Sequence, residues 1–536
     1  MKTKISNSVS GLTVLTVSLL TVLTVILSGC RKESDEVLNY AHQDDMAFRK
    51  AEGSYAAKFD VLWHGLNANY ALWDYEYEKG LDWDKVYEEF HPLFVALDSS
   101  QTAVTDKELK ALVDSLIAPL HDGHLMVQVK NHATGKYVSS SPGALRLARE
   151  RLDEYMTAAR TELNLNYYAK NGLLKEYTVK SSYTIQTVAM EALKYLEEVV
   201  TRLEAIPESE RTPAQNDTLA LYTPIGRELS SALSLTLAGE NQKAIEKYNI
   251  IAYKYQYLHI PYLEPIDPLI NEYGLEITYA LFKDNIAYLK FDSFKLSAYL
   301  APEFMNLFFG GCSEGTKALI KEVGDVWRAW FNAIQEHHKA GDLKGVIIDV
   351  RSNGGGFLND SKYVLGALRQ ADESGGFHDC DARFKRGSGR YDYSPVMPQI
   401  MPVLDTAHVT VTEPIVVLGN CASVSMAEHT SYGVKLFDNG KLVGTRTYGG
   451  FSALSDEATY SSNYAGYVGV KNVTPVFCYV PQEVAYLLEE NALGEKIVEG
   501  HGIYPDIEIA LDAETFNTVG TDNQLDRALQ YIRTGN

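Results

Sequence analysis

The stretch that decides the fold is residues 345–356, GVIIDVRSNGGG, where an apolar strand leads through a short polar stretch into three glycines. A short apolar run of this kind, bounded by a turn signal, predicts a strand buried on both faces. Glycine lets backbone N–H groups turn toward a ligand without hindrance from a Cβ. By itself the turn fits an oxyanion hole, a phosphate loop or a plain turn, although it lacks the Gly-Lys-Ser/Thr of a P-loop.

Short apolar runs and helical stretches alternate on both sides of this segment. Residues 287–291 and 414–418 have the composition of strands, and residues 317–338 carry apolar side chains at helical spacing. A helical stretch starts at Met426. This alternation predicts an α/β core with substantial parallel strand pairing.

The remainder of the chain is predicted to be mainly helical. Residues 37–120 read as helices that lead through a turn at 121–124 into a strand at 125–129, and residues 140–260 carry long apolar stripes suited to core packing. We therefore expect an α/β protein with a mixed sheet in the core. Its expected divisions are a signal peptide at 1–29, an N-terminal helical domain at 30–130, a helical insertion at 131–275 and the core domain at 276–536.

Composition limits the partners. The 536 residues are 46% hydrophobic and 22% charged, as in a packed globular protein, and the net charge is −21. Such a surface repels phosphate backbones, so nucleic acid is not an expected partner. Apart from Cys30 the cysteines are widely spaced and form no C-x-x-C metal knuckle, so buried thiols are expected rather than a disulfide scaffold.

The N-terminus has the pattern of an export signal. Lys2 and Lys4 precede an apolar run at 12–27, and residues 27–30, LSGC, resemble a bacterial lipobox. The resemblance implies cleavage before Cys30 and acylation of its thiol, with attachment to a membrane of the bacterial cell envelope through the lipid. The alternative, a plain membrane helix, would need a longer apolar stretch.

Two further segments carry candidate chemistry. Residues 420–428, NCASVSMAE, place Ser423 and Ser425 at a strand-to-helix turn, where a serine can act as a nucleophile or simply cap the helix. Residues 121–124, HDGH, form either a polar turn or a histidine site. No third metal ligand lies at short range, so neither a metal nor another cofactor is expected.

Together the three segments resemble the C-terminal processing, or tail-specific, serine peptidases. The family pattern D-x-R-x-N-x-G-G is matched from Asp349 through Gly356, and S-x-S-x-[SA]-E is matched at 423–428. A late E-x-x-G-[VI]-x-P-D also fits residues 499–506. The resemblance implies that Ser425 is the nucleophile.

One departure from the family is large. The lysine base of the bacterial processing members falls on Gly450, which cannot accept a proton. The tricorn-like branch uses an upstream histidine and a late glutamate. Resemblance to that branch implies His124 as the base and Glu499 as the residue that orients it, with Glu483 as second choice.

The resemblance implies a lipid-anchored serine peptidase that acts on exported polypeptides or peptides. The N–H groups of Gly355 or Gly356, together with that of Met426, are expected to hold the oxyanion. The helical pattern at 131–275 does not fit the PDZ domain that family members often carry there. The rival interpretation is a binding protein on the same fold, which captures a peptide, glycan or apolar ligand after loss of the lysine.

Overall fold

The computed structural model describes much of the chain from residue 50 onward. It covers residues 50–181, 185–237, 241–261, 263, 274–301, 314–386, 389–452, 469–481 and 483–536. The predicted signal peptide, Cys30 and Cys312 lie outside the described residues. Among the helices that are described, none combines the length and the apolar character needed to cross a bilayer.

The chain forms two compact units. The first comprises residues 1–150, 381–397 and 452–486, and the second comprises residues 151–380, 398–451 and 487–536. These limits differ from the segments expected from the sequence, because each unit is assembled from separated stretches of chain. The boundaries expected at residues 130 and 275 stay a prediction.

The first unit contains helices around a small antiparallel sheet. Its helices are α1 (Tyr55–Asn69), α2 (Trp73–Glu78), α3 (Trp83–Asp98), α4 (Asp106–Ile117) and α5 (Pro142–Glu150). Strand β1 (Met126–Lys130) lies between β2 (Tyr137–Ser140) and β11 (Val476–Tyr479). Local sequence sets the helix starts: the Ser54 side chain accepts the Ala57 N–H at the start of α1, and Thr105 with Glu108 forms a capping box before α4.

The second unit is built on a seven-stranded mixed sheet. The order is β13-β10-β9-β6-β5-β4-β3. The strands are β3 (Leu174–Ser181), β4 (Glu276–Phe282), β5 (Ile286–Phe291), β6 (Gly345–Asp349), β9 (Ile415–Gly419), β10 (Gly440–Gly444) and β13 (Ile507–Glu508). From β13 to β5 all neighbours are parallel, whereas β4 and β3 pair antiparallel. The carboxyl ends of the parallel strands therefore share one edge, which is the usual place for a site in such sheets.

Helices of the second unit pack on the sheet or on one another. They are α6 (Leu152–Arg160), α7 (Asn166–Lys170), α8 (Ile185–Glu204), α9 (Pro213–Leu237), α10 (Asn241–Tyr255), α11 (Ser297–Leu300), α12 (Glu314–Ala340), α13 (Ser361–Val364), α14 (Met426–Lys435), α15 (Ala513–Val519) and α16 (Asn523–Thr534). Helix α12 packs on β4, and α14 and α16 both pack on β9 and β10. Three further strands, β7 (Gly376–Phe384), β8 (Met397–Pro402) and β12 (Glu483–Leu487), contain positions where the chain passes between the units.

The sheet core explains why the sequence pattern was informative. Every residue of β6 and β9 is buried, as their unbroken apolar runs predicted, and α16 covers them with Leu525, Leu529 and Ile532. The expected mixed α/β fold, with N-terminal and inserted helices, is confirmed. The insertion is less uniformly helical than expected, because residues 131–275 also contain β2 and β3, the latter an edge strand of the central sheet.

Candidate active site

Ser425 lies on a strained turn between β9 and α14. Its backbone has φ 57° and ψ −120°, a conformation that costs energy for a residue with a Cβ, and α14 begins at the next residue. The turn is held on both sides, since the Ser425 N–H donates to the Gly450 carbonyl over 2.9 Å and the Val424 N–H donates to the Asn353 carbonyl over 3.0 Å. The side chain is half-buried at the N-terminus of a helix.

The glycine turn after β6 meets this serine. Gly355 has φ +86°, and a Cβ there would lie 2.5 Å from the Ser425 Cβ and 3.0 Å from the Met426 nitrogen. Gly356 has φ +145°, and a Cβ there would collide with the Phe294 carbonyl at 2.2 Å. Only glycine allows this close approach, so the two motifs predicted from the sequence are brought together within the second unit.

The two glycine N–H groups are not equivalent. The Gly355 N–H donates to the Asn353 Oδ1 over 2.8 Å, and the Asn353 amide donates in turn to the Phe291 carbonyl over 2.9 Å. Asn353 is completely buried, so this arrangement fixes the turn. The Gly355 N–H therefore already has an acceptor within the turn.

Ser423 and Ser425 have different surroundings. The Ser423 hydroxyl donates to the Val350 carbonyl over 2.7 Å and accepts the Asn420 N–H over 3.0 Å, and the residue is fully buried. It bridges the loops that follow β6 and β9 instead of capping α14, as one reading of the sequence had it. Its hydroxyl therefore serves the structure of the turn.

Glu428 is a buried carboxylate one turn into α14. It accepts the Thr447 hydroxyl over 2.5 Å, the Gly449 N–H over 2.8 Å and the Gly450 N–H over 2.7 Å. Burial raises the pKa of Glu428 to about 7, against the lowering effect of these donors, and the charge of Glu499 adds to the rise. The sequence had marked this residue only as the end of a motif.

Glu499 is also buried in the second unit, and its Oε1 accepts the Phe451 N–H over 2.9 Å. The position of the family lysine is Gly450, whose N–H binds Glu428 and whose carbonyl binds the Ser425 N–H. The structure thus places Glu499 beside the segment that follows Gly450. The second-choice glutamate, Glu483, is buried in the first unit.

His124 belongs to the first unit, in the turn before β1. The turn is fixed by buried Asp122, whose Oδ1 accepts the N–H groups of His124 and Leu125, both over 2.7 Å. His121 is held separately, with its Nδ1 2.7 Å from the Oε2 of buried Glu76. His121 therefore has a local hydrogen-bond partner within the first unit.

Sequence reasoning missed a buried acid–histidine pair on α14. The His429 Nδ1 lies 2.5 Å from the Asp379 Oδ2. Together with Cys380 these residues form a group whose candidate metal-ligand atoms lie within 4.8 Å of one another. Three ligands are one short of a closed structural zinc site. The position of His429 on the helix that begins directly after Ser425 was a usable signal.

One family model matches the part of the chain that contains this site. Residues 285–509 match the model of peptidase family S41. This matched stretch runs from β5 to β13, and Ser425 lies inside it. No curated protein matches the chain.

Solved structures resemble the chain at low sequence identity. A Parabacteroides merdae protein assigned as a peptidase is 16% identical with a TM-score of 0.47, covering 89% of this chain and 96% of its own. Mature CPAF is 11% identical with a TM-score of 0.43, covering 90% and 98%. The photosystem II D1 C-terminal processing protease is 18% identical with a TM-score of 0.24, covering 43% of each chain.

Proposed function

We propose that the chain is a serine endopeptidase that cleaves exported polypeptides or peptides, with Ser425 as its nucleophile. The observation that carries the proposal is the strained backbone of Ser425 at the strand-to-helix turn, with φ 57° and ψ −120°. Strain of this kind is retained where the surrounding structure requires it, and a nucleophile elbow is one such place. The turn after β6 reaches the same serine, as an acyl-transfer site requires.

The proposed reaction has two halves. The Ser425 hydroxyl attacks the peptide carbonyl carbon, His124 takes the hydroxyl proton, and the same proton passes to the departing amine. A water molecule then attacks the acyl-serine ester, with His124 again accepting and returning a proton. The roles of His124 and of Glu499 as its orienting partner rest on the resemblance to the tricorn-like branch.

The proposed oxyanion donors are backbone N–H groups. Met426 follows the nucleophile at the N-terminus of α14, where the helix dipole also favours negative charge. Gly356 is the second donor, since the Gly355 N–H is occupied by Asn353. Neither donor requires a side chain, so the site can stabilise the intermediate with groups fixed by the fold.

A fluorophosphonate probe tests the nucleophile directly. We expect wild-type protein to be labelled, and Ser425→Ala to lose both labelling and peptide cleavage, by about 10³-fold or more, because no other group replaces the attacking oxygen. Intact mass spectrometry and a peptide cleavage assay provide the measurement. Wild-type protein that resists the probe would favour the rival binding protein, in which Gly450 marks a lost active site.

Ser423 and His121 serve as controls, because each lies close in sequence to a proposed catalytic residue, Ser425 or His124. Ser423→Ala should keep its labelling, because the Ser423 hydroxyl is bound to Val350 and Asn420. His124→Ala should lower turnover by about 10²- to 10⁴-fold, as expected for loss of a general base. His121→Ala should be milder, since that side chain pairs with Glu76. Full activity in His124→Ala would assign the base to another residue.

We also propose that the protein is anchored to a membrane of the cell envelope by acylation of Cys30. The lipobox at 27–30 supports this, and two acyl chains suffice for stable attachment. We expect Cys30→Ser to leave the membrane fraction or to accumulate as unprocessed precursor. Membrane association and processing identical to the wild type would contradict the anchor.

A further inference from the structure

Two consecutive residues after β10 have all four of their backbone polar groups bound by the site. The Gly450 N–H donates to Glu428 over 2.7 Å, and the Gly450 carbonyl accepts the Ser425 N–H over 2.9 Å. The Phe451 N–H donates to Glu499 over 2.9 Å, and the Phe451 carbonyl lies 2.9 Å from the His429 Nε2. Whatever fixes this segment also fixes the strained backbone of the proposed nucleophile.

His429 holds the last of these four groups. Its ring is buried and stacks on the Phe451 ring, with centroids 3.7 Å apart and planes inclined by 23°. Its Nδ1 lies 2.5 Å from the Asp379 Oδ2, while its Nε2 faces the Phe451 carbonyl. A carbonyl oxygen only accepts, so the Nε2 carries a hydrogen.

Asp379 orients this ring through its Nδ1. If Asp379 is ionised, both ring nitrogens are protonated; if the proton sits on Asp379, the Nδ1 accepts it and the Nε2 still keeps its hydrogen. The carboxylate is completely buried, and its Oδ1 has no hydrogen-bond partner among the described residues. A buried carboxylate with one unsatisfied oxygen lowers stability, which indicates a role other than holding the fold together.

We propose that Asp379 and His429 are positioning residues for the catalytic serine. Asp379 orients the His429 ring so that its Nε2 faces the Phe451 carbonyl, His429 holds that carbonyl, and the segment at 450–451 holds the Ser425 N–H. The inference rests on the proposed function, because it needs Ser425 to be the nucleophile. Displacing such a segment by about 1 Å can lower turnover 10²-fold without a large change in substrate binding.

Other polar groups lie near Asp379 and His429, so the experiment must separate the effect of this pair from a general loss of stability. Cys380 belongs to the same cluster, Glu428 and Glu499 bind the same segment of backbone, and the Tyr432 hydroxyl lies further along α14, where it accepts the Leu488 N–H over 2.9 Å. Tyr432→Phe is therefore a matched control. It removes a buried hydrogen bond from the same helix and leaves the contacts of Phe451 intact.

The experiment measures kcat and KM for a peptide substrate, the fluorophosphonate labelling rate and the melting temperature of each variant. His429→Phe keeps the aromatic stack but removes the Nε2 donor, and we expect kcat and labelling to fall about 10- to 100-fold with KM within about twofold. Tyr432→Phe should lower the melting temperature by a similar amount with kcat unchanged. If His429→Phe does not fold, His429→Gln, which can retain an N–H donor, should be intermediate.

Asp379→Asn supplies the rescue. The Asn amide can donate to the Nδ1, and the hydrogen of the ring then stays on the Nε2. The kcat of Asp379→Asn should therefore stay within about threefold of the wild type. Asp379→Leu cannot orient the ring, so its kcat should fall as in His429→Phe. Wild-type kcat in His429→Phe, with Ser425→Ala inactive, overturns this inference alone. Turnover retained in Ser425→Ala overturns the proposed function as well. Stoichiometric zinc that disappears in His429→Phe would show a metal site in place of the positioning pair.

Discussion

Two buried ionisable side chains, Arg351 and Glu428, follow neighbouring strands of the central sheet, and they are satisfied by different kinds of partner. After β6, Arg351 contacts two carboxylates: its Nη2 lies 2.5 Å from Asp349 and 2.8 Å from Asp522. After β9, Glu428 pairs with no cation among the described residues and is satisfied by the Thr447 hydroxyl and by the backbone N–H groups of Gly449 and Gly450. The first group compensates charge with charge, whereas the second relies on hydrogen bonds alone.

The difference appears in the protonation of the acids. Burial tends to raise the pKa of Asp349, but the Arg351 charge outweighs it and the pKa is lowered. For Glu428 burial prevails and the pKa rises to about 7. We infer that the ion network of Asp349, Arg351 and Asp522 holds the scaffold, because Asp522 caps α16. Glu428, which precedes the Gly449 and Gly450 donors in the chain and follows the proposed nucleophile, therefore has a pKa close to neutral pH.

The largest expected effect on stability is that of breaking the ion network. Arg351→Met leaves two buried carboxylates without a cation and should lower the free energy of unfolding by about 3–5 kcal/mol. Arg533→Met is the matched control, since Arg533 pairs with Asp284 at the surface and its loss should cost below about 1 kcal/mol. Urea unfolding of both variants measures this. Equal losses of unfolding free energy in the two variants would show that the buried ion network stabilises the fold no more than a surface ion pair does.

The next effect is a pH dependence that belongs to Glu428. Its folded-state pKa of about 7 lies above the ordinary carboxyl value, so between about pH 4.5 and 7 the folded state holds a proton that the unfolded state has released. Its contribution to stability is therefore greatest at low pH and declines as pH rises through this window. Glu428→Gln does not titrate, so its stability should gain on the wild type by roughly 2–4 kcal/mol from pH 5 to 8.

Urea unfolding of wild type and Glu428→Gln at several pH values makes this measurement. The amide cannot accept from every donor of the pocket, so Glu428→Gln is expected to be the less stable protein at pH 5. A stability difference that stays constant across the pH range would show that Glu428 does not titrate there. The contrast with Asp349 would then disappear.

The smallest expected effect concerns Ser423, which links the two loops that contain these groups. Ser423→Ala removes the donor to Val350 and the acceptor for Asn420, and should cost about 1–2 kcal/mol of unfolding free energy. Fluorophosphonate labelling of Ser425 should persist in the folded variant. Loss of labelling with unchanged stability would exchange the roles of the two serines.

Much of the fold could be predicted from local pattern. The unbroken apolar runs of β6 and β9 fixed two buried parallel strands, and the helical spacing of residues 317–338 fixed most of α12. Strand β3 escaped notice because its surroundings are helical and five of its eight residues, Lys175, Glu176, Thr178, Lys180 and Ser181, are polar or charged. An edge strand shows a weak apolar signal, since its backbone pairing depends on the neighbouring strand.

The candidate site, like the fold, could be predicted from the sequence only in part. The motif spacing identified Ser425 and the glycine turn, and the structure shows that Gly355 reaches the serine. The sequence could not show that the Gly355 N–H donates to Asn353. Nor could it show that Asp379 and His429, which are 50 positions apart in the chain, lie in contact. These contacts depend on the packing of segments far apart in the chain, which no local pattern records.

The sequence by itself determined the residue types and their order along the strands and turns. It specified where glycine permits a positive φ, where an apolar run must be buried and which serine stands at the start of α14. Only the tertiary structure decided which of these groups share a low-dielectric interior. Burial sets the pKa of Glu428 and commits Ser423 to the scaffold, because the energy of a charge or hydroxyl depends on the partners that surround it in space.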